Sequence, residues 1–329
     1  MILAGDIGGT NTRLALCERN GGGFRTTAEE NYASAAFSRL EEIVEKFLGG
    51  KSNKIERACF GVAGLVTGEV VELANLPWTI DARAMKNLLA IEHISLINDL
   101  EANAYGLQEL GEPDFVILNQ GAVNSTGNGA IIAAGTGLGE AGLYFEEGAS
   151  GKFRPFPSEG GHADFAPRSD FEIELLRFLF VKFGRVSVER VVSGQGLRNI
   201  YEFLRETKKA EEPVWLAQEI AAGDDAAAII SKYGIEGKAA ICELTLETFV
   251  SLYGAEAGNL ALKMLATGGV FLSGGIAPKI LPKLREPTFL ESFQAKGRMR
   301  GLMEKIPVRV VTNDKAALLG AAHFAFYES

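Results

Sequence analysis

The sequence predicts an α/β fold made of two domains. Short apolar runs alternate with segments whose apolar residues recur at helical spacing, which is the pattern of strands and helices packed in layers. Two glycine- and threonine-rich turns, at residues 5–11 and 135–139, each lie between two apolar runs, and each one opens a domain. The chain has 329 residues, which is enough for two such domains.

The first glycine-rich turn follows the apolar run at residues 2–4 and reads Gly5-Asp6-Ile7-Gly8-Gly9-Thr10-Asn11. A second apolar run at residues 13–17 comes next, so we expect a β-hairpin and not a strand followed by a helix. A Walker phosphate loop is excluded, because that loop opens a helix and needs a Lys-Ser/Thr pair. Paired glycines let backbone N–H groups approach phosphate oxygens, and Asp6 can hold a hydrated magnesium ion. The alternative is a plain hairpin turn with Asp6 as its hydrogen-bonding residue.

The first domain continues with an amphipathic helix at residues 35–48 and buried strands at residues 55–62 and 93–97. The last strand ends at Asn98 and Asp99, and a helical pattern follows and closes at Gly111. Open α/β sheets bind their ligands at the carboxyl ends of strands, so these two side chains are candidate site residues. A helix cap is the alternative interpretation.

The second glycine-rich turn reads Gly135-Thr136-Gly137-Leu138-Gly139 and lies between the apolar runs 130–134 and 141–145. It repeats the order of the first turn, which indicates a weak internal duplication and two facing lobes with a nucleotide between them. The glycine spacing superficially resembles a dinucleotide fingerprint. A strand follows instead of a helix, so an oxidoreductase is not favoured.

Two further segments carry isolated polar residues. Glu159 and His162 lie in a glycine-bracketed loop without regular periodicity, and such loops carry function more often than helix faces do. Glu189 is the only acid in its stretch and follows the capping residue Ser187. A surface turn is the alternative for the loop. A favourable interaction with a helix dipole is the alternative for Glu189.

The remainder of the second domain is mainly helical and returns to the sheet with two strands. The apolar run 270–273 ends in the pair Gly274-Gly275, which we place at a helix start where a flat adenosine can lie against the backbone. The alternative is that the two glycines only mark the transition from strand to helix, with Pro278 in the first helical turn. A last strand at residues 307–311 precedes a final helix that ends near Tyr327.

Composition narrows the class of function. The net charge of -9 gives no electrostatic reason to expect nucleic acid or an anionic membrane as a partner. No apolar run approaches the ~20 residues of a membrane span, and Met1 leads directly into a strand, so we expect no signal peptide and a cytoplasmic protein. The three cysteines are far apart among apolar neighbours, which predicts free thiols rather than a zinc site.

Taken together, the motifs resemble those of bacterial glucokinases of the non-zinc type, within the actin-like ATPase superfamily of sugar kinases. The resemblance runs from Gly5 to Gly320 and rests on the two glycine turns, Leu-Ile-Asn-Asp at residues 96–99, Ser-Glu-Gly-Gly-His-Ala-Asp-Phe-Ala-Pro at 158–167 and Glu-Arg-Val-Val-Ser-Gly-x-Gly-Leu at 189–197. The cysteine-rich motif and helix-turn-helix arm of zinc-containing relatives are absent from the sequence.

The resemblance implies two actin-like (ribonuclease H-like) α/β lobes with an active-site cleft between them, residues 1–108 with 314–329 and residues 109–313. It implies Asp99 as catalytic base and Asn98, Asp99, Glu159, His162 and Glu189 as glucose ligands. It assigns ATP to the two turns and the adenosine motif, through Asp6, Gly8, Gly9, Thr10, Asn11, Gly135, Thr136, Gly137, Gly274 and Gly275. Mg²⁺ is expected on Asp6 through water. One departure is Glu140, where a relative can carry an apolar residue, and we expect it to lie outside the chemistry.

The expected reaction is transfer of the γ-phosphoryl of ATP to the 6-hydroxyl of glucose by a cytoplasmic, homodimeric enzyme of glycolysis. Phosphoryl transfer has a loose transition state, so positioning and charge neutralisation dominate catalysis. A kinase for another hexose remains an alternative, because the residue types do not rank sugars. A non-kinase actin-like ATPase or a sugar sensor is the other, and ADP release that is independent of sugar would favour the ATPase.

Overall fold

The structure is a computed structural model, and it describes residues 1–49, 54–64, 66, 68–73, 76–147 and 152–328. The strands are β1 Ile2–Ile7, β2 Asn11–Asn20, β3 Gly23–Ala33, β4 Arg57–Val62, β5 Val70–Glu72, β6 Thr79–Asp81, β7 His93–Asn98, β8 Phe115–Asn119, β9 Gly129–Ala134, β10 Leu138–Glu146, β11 Lys152–Ser158, β12 Gly269–Ser273 and β13 Val308–Val311. The helices are α1 Leu40–Leu48, α2 Ala82–Leu89, α3 Asp99–Gly106, α4 Asp170–Phe183, α5 Gly194–Glu206, α6 Val214–Ala222, α7 Ala226–Glu236, α8 Ala240–Met264, α9 Leu281–Leu284, α10 Pro287–Gln294, α11 Arg300–Met303 and α12 Ala316–Tyr327. The predicted α/β class is confirmed.

The chain divides into two compact units. The first, unit 1, comprises Met1–Asp114, Glu146–Pro157 and Asn313–Ser329, and the second, unit 2, comprises Phe115–Phe145 and Ser158–Thr312. In the part of the chain that the structure describes, no helix is both long and apolar enough to cross a membrane.

The sheet of unit 1 has the strand order β3-β2-β1-β4-β7. β1, β2 and β3 are antiparallel neighbours, whereas β1, β4 and β7 run parallel. The carboxyl ends of the three parallel strands therefore lie along one edge of the sheet. This edge carries the first glycine turn after β1 and Asn98 at the end of β7.

In unit 2, strands follow one another in the order β10-β9-β12-β13-β8. β9 pairs antiparallel with β10 and parallel with β12, which continues parallel to β13. A hairpin joined to parallel strands is thus present in both units. This shared pattern agrees with the internal duplication that the sequence indicates.

The central strand β1 of unit 1 is buried on both faces, because helices pack against each side of the sheet there. Along β1, Leu3 and Ile7 join the apolar cluster that includes the buried face of α1, whereas Ile2 and Ala4 join the cluster with α3 and α12. Alternation of side chains along a strand sends neighbours to opposite faces. The run Ile2-Leu3-Ala4 therefore contributes to two cores.

Helices α3 and α12 approach each other closely through glycine. A Cβ on Gly320 would lie 1.7 Å from Ala102 O, and a Cβ on Gly106 would lie 2.0 Å from Ala316 O. Around this contact Tyr105 packs with the small residues of α12 in one buried cluster. Any side chain at the two glycines would push the helices apart, so α12 fixes the position of α3.

Candidate active site

The first glycine turn is stabilised by a hydrogen bond within the turn and by another from a residue outside it. The amide of Gly8 donates to Asn11 O at 2.9 Å. Ser34, which follows β3, supports the turn because its Oγ donates to Gly8 O at 2.8 Å. Thr10 and Asn11 are exposed and Gly9 is partly exposed. The backbone of the turn is therefore fixed while its tip remains accessible to a ligand.

Asp6 lies near the end of β1, and its electrostatic environment is strongly acidic. The pKa of Asp6 is raised from 3.8 to about 6, mainly by burial and also by the charge of Asp99, while Arg13 acts in the opposite direction. The carboxylates of Asp6 and Asp99 therefore share one electrostatic neighbourhood. Carboxylate oxygens are the ligands that Mg²⁺ prefers, and a divalent cation would offset this concentration of negative charge.

Asn98 and Asp99 lie where β7 ends and α3 begins, and both side chains accept hydrogen bonds from backbone amides at the start of α3. Asn98 Oδ1 accepts hydrogen bonds from Leu100 N at 2.9 Å and from Glu101 N at 3.3 Å, so the helix-cap interpretation is confirmed. Its Nδ2 donates to Gly64 O at 3.2 Å. Asp99 begins the helix, and its Oδ1 accepts from Leu100 N at 2.9 Å. Both side chains are therefore held in place by backbone groups, and both are partly exposed.

The second glycine turn is built differently. Gly135 N donates to Gly137 O at 2.9 Å, which makes a tighter turn than the first one. Gly194, the first residue of α5, donates its amide to Gly135 O at 2.8 Å. Thr136 at the tip is exposed. The amino-terminal end of a helix therefore supports this turn.

Glu189 also supports the second turn. It lies in the 3-10 turn Val188–Arg190, and its Oε2 accepts a hydrogen bond from Leu138 N at 3.0 Å. A Cβ on Gly137 would lie 2.6 Å from the same oxygen, so only glycine leaves room for this carboxylate. The predicted sugar ligand Glu189 is thus placed against the predicted phosphate turn, 51 residues away in the sequence.

The loop with Glu159 and His162 leaves both side chains open to solvent, with exposed fractions of 73% and 60%. Glu159 Oε2 and His162 Nε2 lie 3.9 Å apart. The main chain between them forms the 3-10 turn Gly160–His162, and Arg185 donates to His162 O at 2.6 Å. The bond from Val188 N to Ala163 O, at 2.9 Å, joins this loop to the segment that carries Glu189. We name residues 158–163 the glutamate–histidine loop.

The Gly274-Gly275 pair lies beside the second turn, because β12 runs parallel to β9. Gly274 has a φ of +82°, and a Cβ there would lie 2.4 Å from Ala134 O, the last residue of β9. The prediction that the pair starts a helix is wrong, since turns occupy residues 274–280 and α9 begins at Leu281. The positive φ at Gly274, which glycine adopts without steric cost, turns the chain away from the strand direction at this point.

Each unit therefore gathers part of the predicted site. Unit 1 holds Asp6, the first turn, Asn98 and Asp99. Unit 2 holds the second turn, Glu159, His162, Glu189 and Gly274-Gly275. Among the residues that the structure describes, no group of three or more His, Cys, Asp and Glu side chains is arranged to hold a metal ion. Asp6 would need ligands from water and phosphate to complete a magnesium shell.

Glu140, which was expected to lie outside the chemistry, is buried, and this burial was not predicted. Its side chain in β10 is only 1% exposed, and burial raises its pKa to about 7. The signal was present in the sequence, because Glu140 alternates in phase with Leu138, a buried residue two positions earlier on the same strand.

Comparisons with known proteins identify the family to which the chain belongs. A family model described as Glucokinase matches residues 3–327. A glucokinase of Trichormus variabilis is 45% identical over 337 positions, which cover 98% of both chains. A glucokinase of Synechocystis is 42% identical and covers 98% of this chain and 96% of its own.

Solved structures support the same assignment. The crystal structure of a glucokinase from an Antarctic psychrotroph is 32% identical, has a TM-score of 0.84 and covers 98% of both chains. A ROK family glucokinase from Streptomyces griseus, at 18% identity, has a TM-score of 0.67 over 98% of both chains and so shares the fold. The expected actin-like sugar-kinase fold is confirmed, and the chain belongs to the glucokinase family.

Proposed function

We propose that this protein transfers the γ-phosphoryl group of ATP to the 6-hydroxyl of glucose, giving glucose 6-phosphate and ADP. The observation that carries the proposal is the glucokinase family match over residues 3–327, which includes every predicted site residue. The relative from Streptomyces griseus was solved in complex with glucose and AMPPNP, which are the sugar and an ATP analogue.

Asp99 is the proposed catalytic base. Its bond to Leu100 N at 2.9 Å anchors the carboxylate at the start of α3, and in this proposal the anchored carboxylate orients the sugar hydroxyl and accepts its proton. The loose transition state needs that proton removed late, so orientation matters more than basic strength. General-base assistance of this kind contributes roughly 10²- to 10⁴-fold in rate.

Asp6 and the two glycine turns are the proposed ATP site. Magnesium, when bound, would neutralise charge on the β- and γ-phosphates. Asp6 would hold it through water, because its acidic environment favours a cation. The exposed tips of the turns, Thr10 and Thr136, would bring backbone N–H groups to the phosphates. Gly274 and Gly275 would lie against adenosine.

Glucose would be bound by Asn98, Glu159, His162 and Glu189. The exposed carboxylate of Glu159 and the ring of His162 are free to pair with sugar hydroxyls. A site that pairs each hydroxyl rejects sugars in which one is missing or inverted, because buried polar groups then remain unpaired. The side-chain amide of Asn98 already accepts a hydrogen bond from α3 and donates one to Gly64 O. These two bonds would keep its orientation constant as sugar binds.

The proposal includes two lobes, residues 1–108 with 314–329 and residues 109–313, that close on glucose. Closure would exclude water and limit wasteful hydrolysis of ATP. Small-angle X-ray scattering should show a smaller radius of gyration when glucose is added. An unchanged radius would contradict closure while leaving the kinase assignment intact.

We also infer that the enzyme acts in glycolysis in the cytoplasm as a homodimer. Buried free thiols at Cys17, Cys59 and Cys242 suit a reducing compartment. Val181 and Val214 are 89% and 75% exposed on helices of unit 2, and apolar surface of this kind supports self-association. Sedimentation equilibrium tests the dimer.

The deciding experiment is coupled ADP release with MgATP, with and without glucose, across a panel of hexoses. Turnover that requires glucose and exceeds that with mannose, fructose and N-acetylated amino sugars would support the proposal. A higher rate with another sugar would reassign the substrate. ADP release that no sugar changes would overturn the kinase assignment and favour a sugar-independent ATPase.

A further inference from the structure

Glu140 lies directly beneath the backbone of the glutamate–histidine loop. A Cβ placed on Gly160 would be 2.1 Å from Glu140 Oε2, so the carboxyl group and the loop are in tight contact. The other oxygen, Oε1, is buried and has no hydrogen-bond partner among the described residues. Since Gly160 adjoins Glu159, movement at this contact would be transmitted to a proposed sugar ligand.

The side of Glu140 that faces α8 offers little compensation for a negative charge. Glu256 of α8 adds its own negative charge near Glu140, and Lys263 opposes it only in part. That lysine is already 3.5 Å from Glu256 Oε1. Tyr253, also on α8, directs its hydroxyl to Ile132 O at 3.4 Å rather than to Glu140.

The other charged groups near this region are engaged elsewhere. Lys296 donates to Ala255 O at 2.8 Å and to Asn259 Oδ1 at 2.6 Å. On the loop itself, Glu159 and His162 point to solvent, with more than half of each side chain exposed. Burial with so few donors strongly disfavours an ionised carboxylate.

We propose that Glu140 is a positioning residue, and that the glutamate–histidine loop keeps its glucose-binding geometry only while the carboxyl group of Glu140 is protonated. The inference rests on the proposed function, in which Glu159 and His162 bind the sugar. A protonated carboxyl group is neutral and fits the dry contact with Gly160. An ionised one requires water or donors, which reach it only if the loop moves away.

The direction of the pH effect follows from linkage. Burial and the charge of Glu256 raise the pKa of Glu140 to about 7, so the side chain loses its proton as the pH rises through neutrality. Glucose that binds the ordered loop favours the protonated form and is bound with proton uptake. From a pKa of about 7, the upper limit of the loss in affinity between pH 6.5 and 8.5 is about 25-fold.

The test is calorimetric titration of the full-length protein with glucose, without nucleotide, from pH 6.5 to 8.5. Repeating it in buffers of different ionisation enthalpy measures the protons taken up. For the wild type we expect Kd to rise by between about 3-fold and the limit of about 25-fold, with proton uptake near neutral pH. Glu140→Gln keeps the size and neutrality of the protonated acid, so its Kd should stay near the low-pH value throughout.

A second variant protects the test against misfolding of the first. Glu256→Gln removes the neighbouring charge, so the midpoint of the pH profile should move to lower pH while the profile keeps its shape. Other protonation events that affect glucose binding are common to the wild type and Glu140→Gln, so they cancel in the difference between the two profiles. A simple packing role for Glu140 would change Kd at every pH and would not move this midpoint.

The outcomes separate the two proposals. A Glu140→Gln profile identical to the wild type, or a Glu256→Gln midpoint that does not move, would overturn the role of Glu140 and leave the kinase proposal standing. Absence of glucose binding and of glucose-dependent ADP release in the wild type would overturn both.

Discussion

The two glycine turns have the same sequence pattern but different supports. The first follows a strand that carries Asp6, and Ser34 holds it through a neutral hydroxyl. The second follows a strand end without an acid, and the carboxylate of Glu189 and the first amide of α5 hold it. The negative charge near the first turn, on Asp6, is therefore not used to support the turn and can act on a ligand. In the second turn, the carboxylate of Glu189 accepts a hydrogen bond from the backbone amide of Leu138.

This difference suggests a division of labour between two similar hairpins. The first turn combines backbone donors with a carboxylate and suits a phosphate that is bridged by a cation. The second offers backbone donors alone and suits direct contact with phosphate. It also bonds to Glu189, which is a proposed glucose ligand. Substitutions near the first turn and substitutions near the second turn should therefore change different kinetic constants.

The largest effect is expected from substitution of Asp99, the proposed catalytic base. Asp99→Asn keeps the bond to Leu100 N and removes the basic oxygen, so kcat should fall by roughly 100-fold or more. The dissociation constant of ATP should change little. Steady-state kinetics and equilibrium nucleotide binding measure the two quantities.

A matched control is available in the same unit. Asp81 also accepts a backbone hydrogen bond at a helix start, from Arg83 N at 2.8 Å, but is not part of the predicted site. Asp81→Asn should keep near-normal kcat. If Asp99→Asn retains more than about a tenth of the wild-type kcat, Asp99 is not the base.

The next effect tests whether the first turn uses a cation. Asp6→Asn should raise the Mg²⁺ concentration needed for half-maximal rate, and at limiting Mg²⁺ should lower kcat by about 100-fold. Titration of activity with Mg²⁺ at saturating ATP measures this shift. An unchanged requirement would place the metal elsewhere and remove the main contrast between the turns.

The same substitution should stabilise the metal-free protein. The pKa of Asp6 is about 6 in the folded state, above its ordinary 3.8, so ionisation costs stability as the pH rises between these values. Above pH 6 the cost is at most about 3 kcal/mol. Denaturant unfolding of Asp6→Asn should therefore show a gain at pH 7.5 that disappears at pH 4. A gain of equal size at both values would contradict the electrostatic cause.

Glu159→Gln tests the sugar side alone. Loss of a charged acceptor should raise KM for glucose by about 10-fold to 100-fold, since such bonds contribute roughly 1.5–3 kcal/mol. KM for ATP should change much less. Asp170→Asn, at an exposed position in the first turn of α4, is the control and should affect neither constant. An unchanged glucose KM would argue against the Glu159 contact.

The smallest effects distinguish the roles of glycine within the second turn. Gly137→Ala would displace Glu189 Oε2, and we expect KM for glucose to rise about 10-fold through loss of its hydrogen bond. A Cβ at Gly135 meets nothing within 4 Å, so Gly135→Ala should fold normally and raise only KM for ATP, by a few-fold. Equal effects of the two variants on both constants would show that the turn acts as one unit.

Local features of the fold were predictable, whereas long-range contacts were not. Both hairpins and the cap at Asn98 depend on a few consecutive residues, and their sequence patterns predicted them. The helix expected from residue 35 begins at Leu40 instead, since Ser34 is drawn to the first turn by a bond from its amide to Thr10 O at 3.0 Å. The alternation along β10 indicates which face Glu140 takes, but the packing of α8 and the glutamate–histidine loop around it is long-range, and no local pattern predicts it.

The packing of α12 on α3 also has a consequence for synthesis of the protein. His323 of α12 pairs with Glu109, just after α3, at 2.5 Å and across 214 positions of sequence. Translation at ~5–20 residues per second places these partners about 10–40 s apart. During that interval the nascent chain carries the helix that starts at Asp99 without its final neighbour, and its apolar side is available to ribosome-associated chaperones.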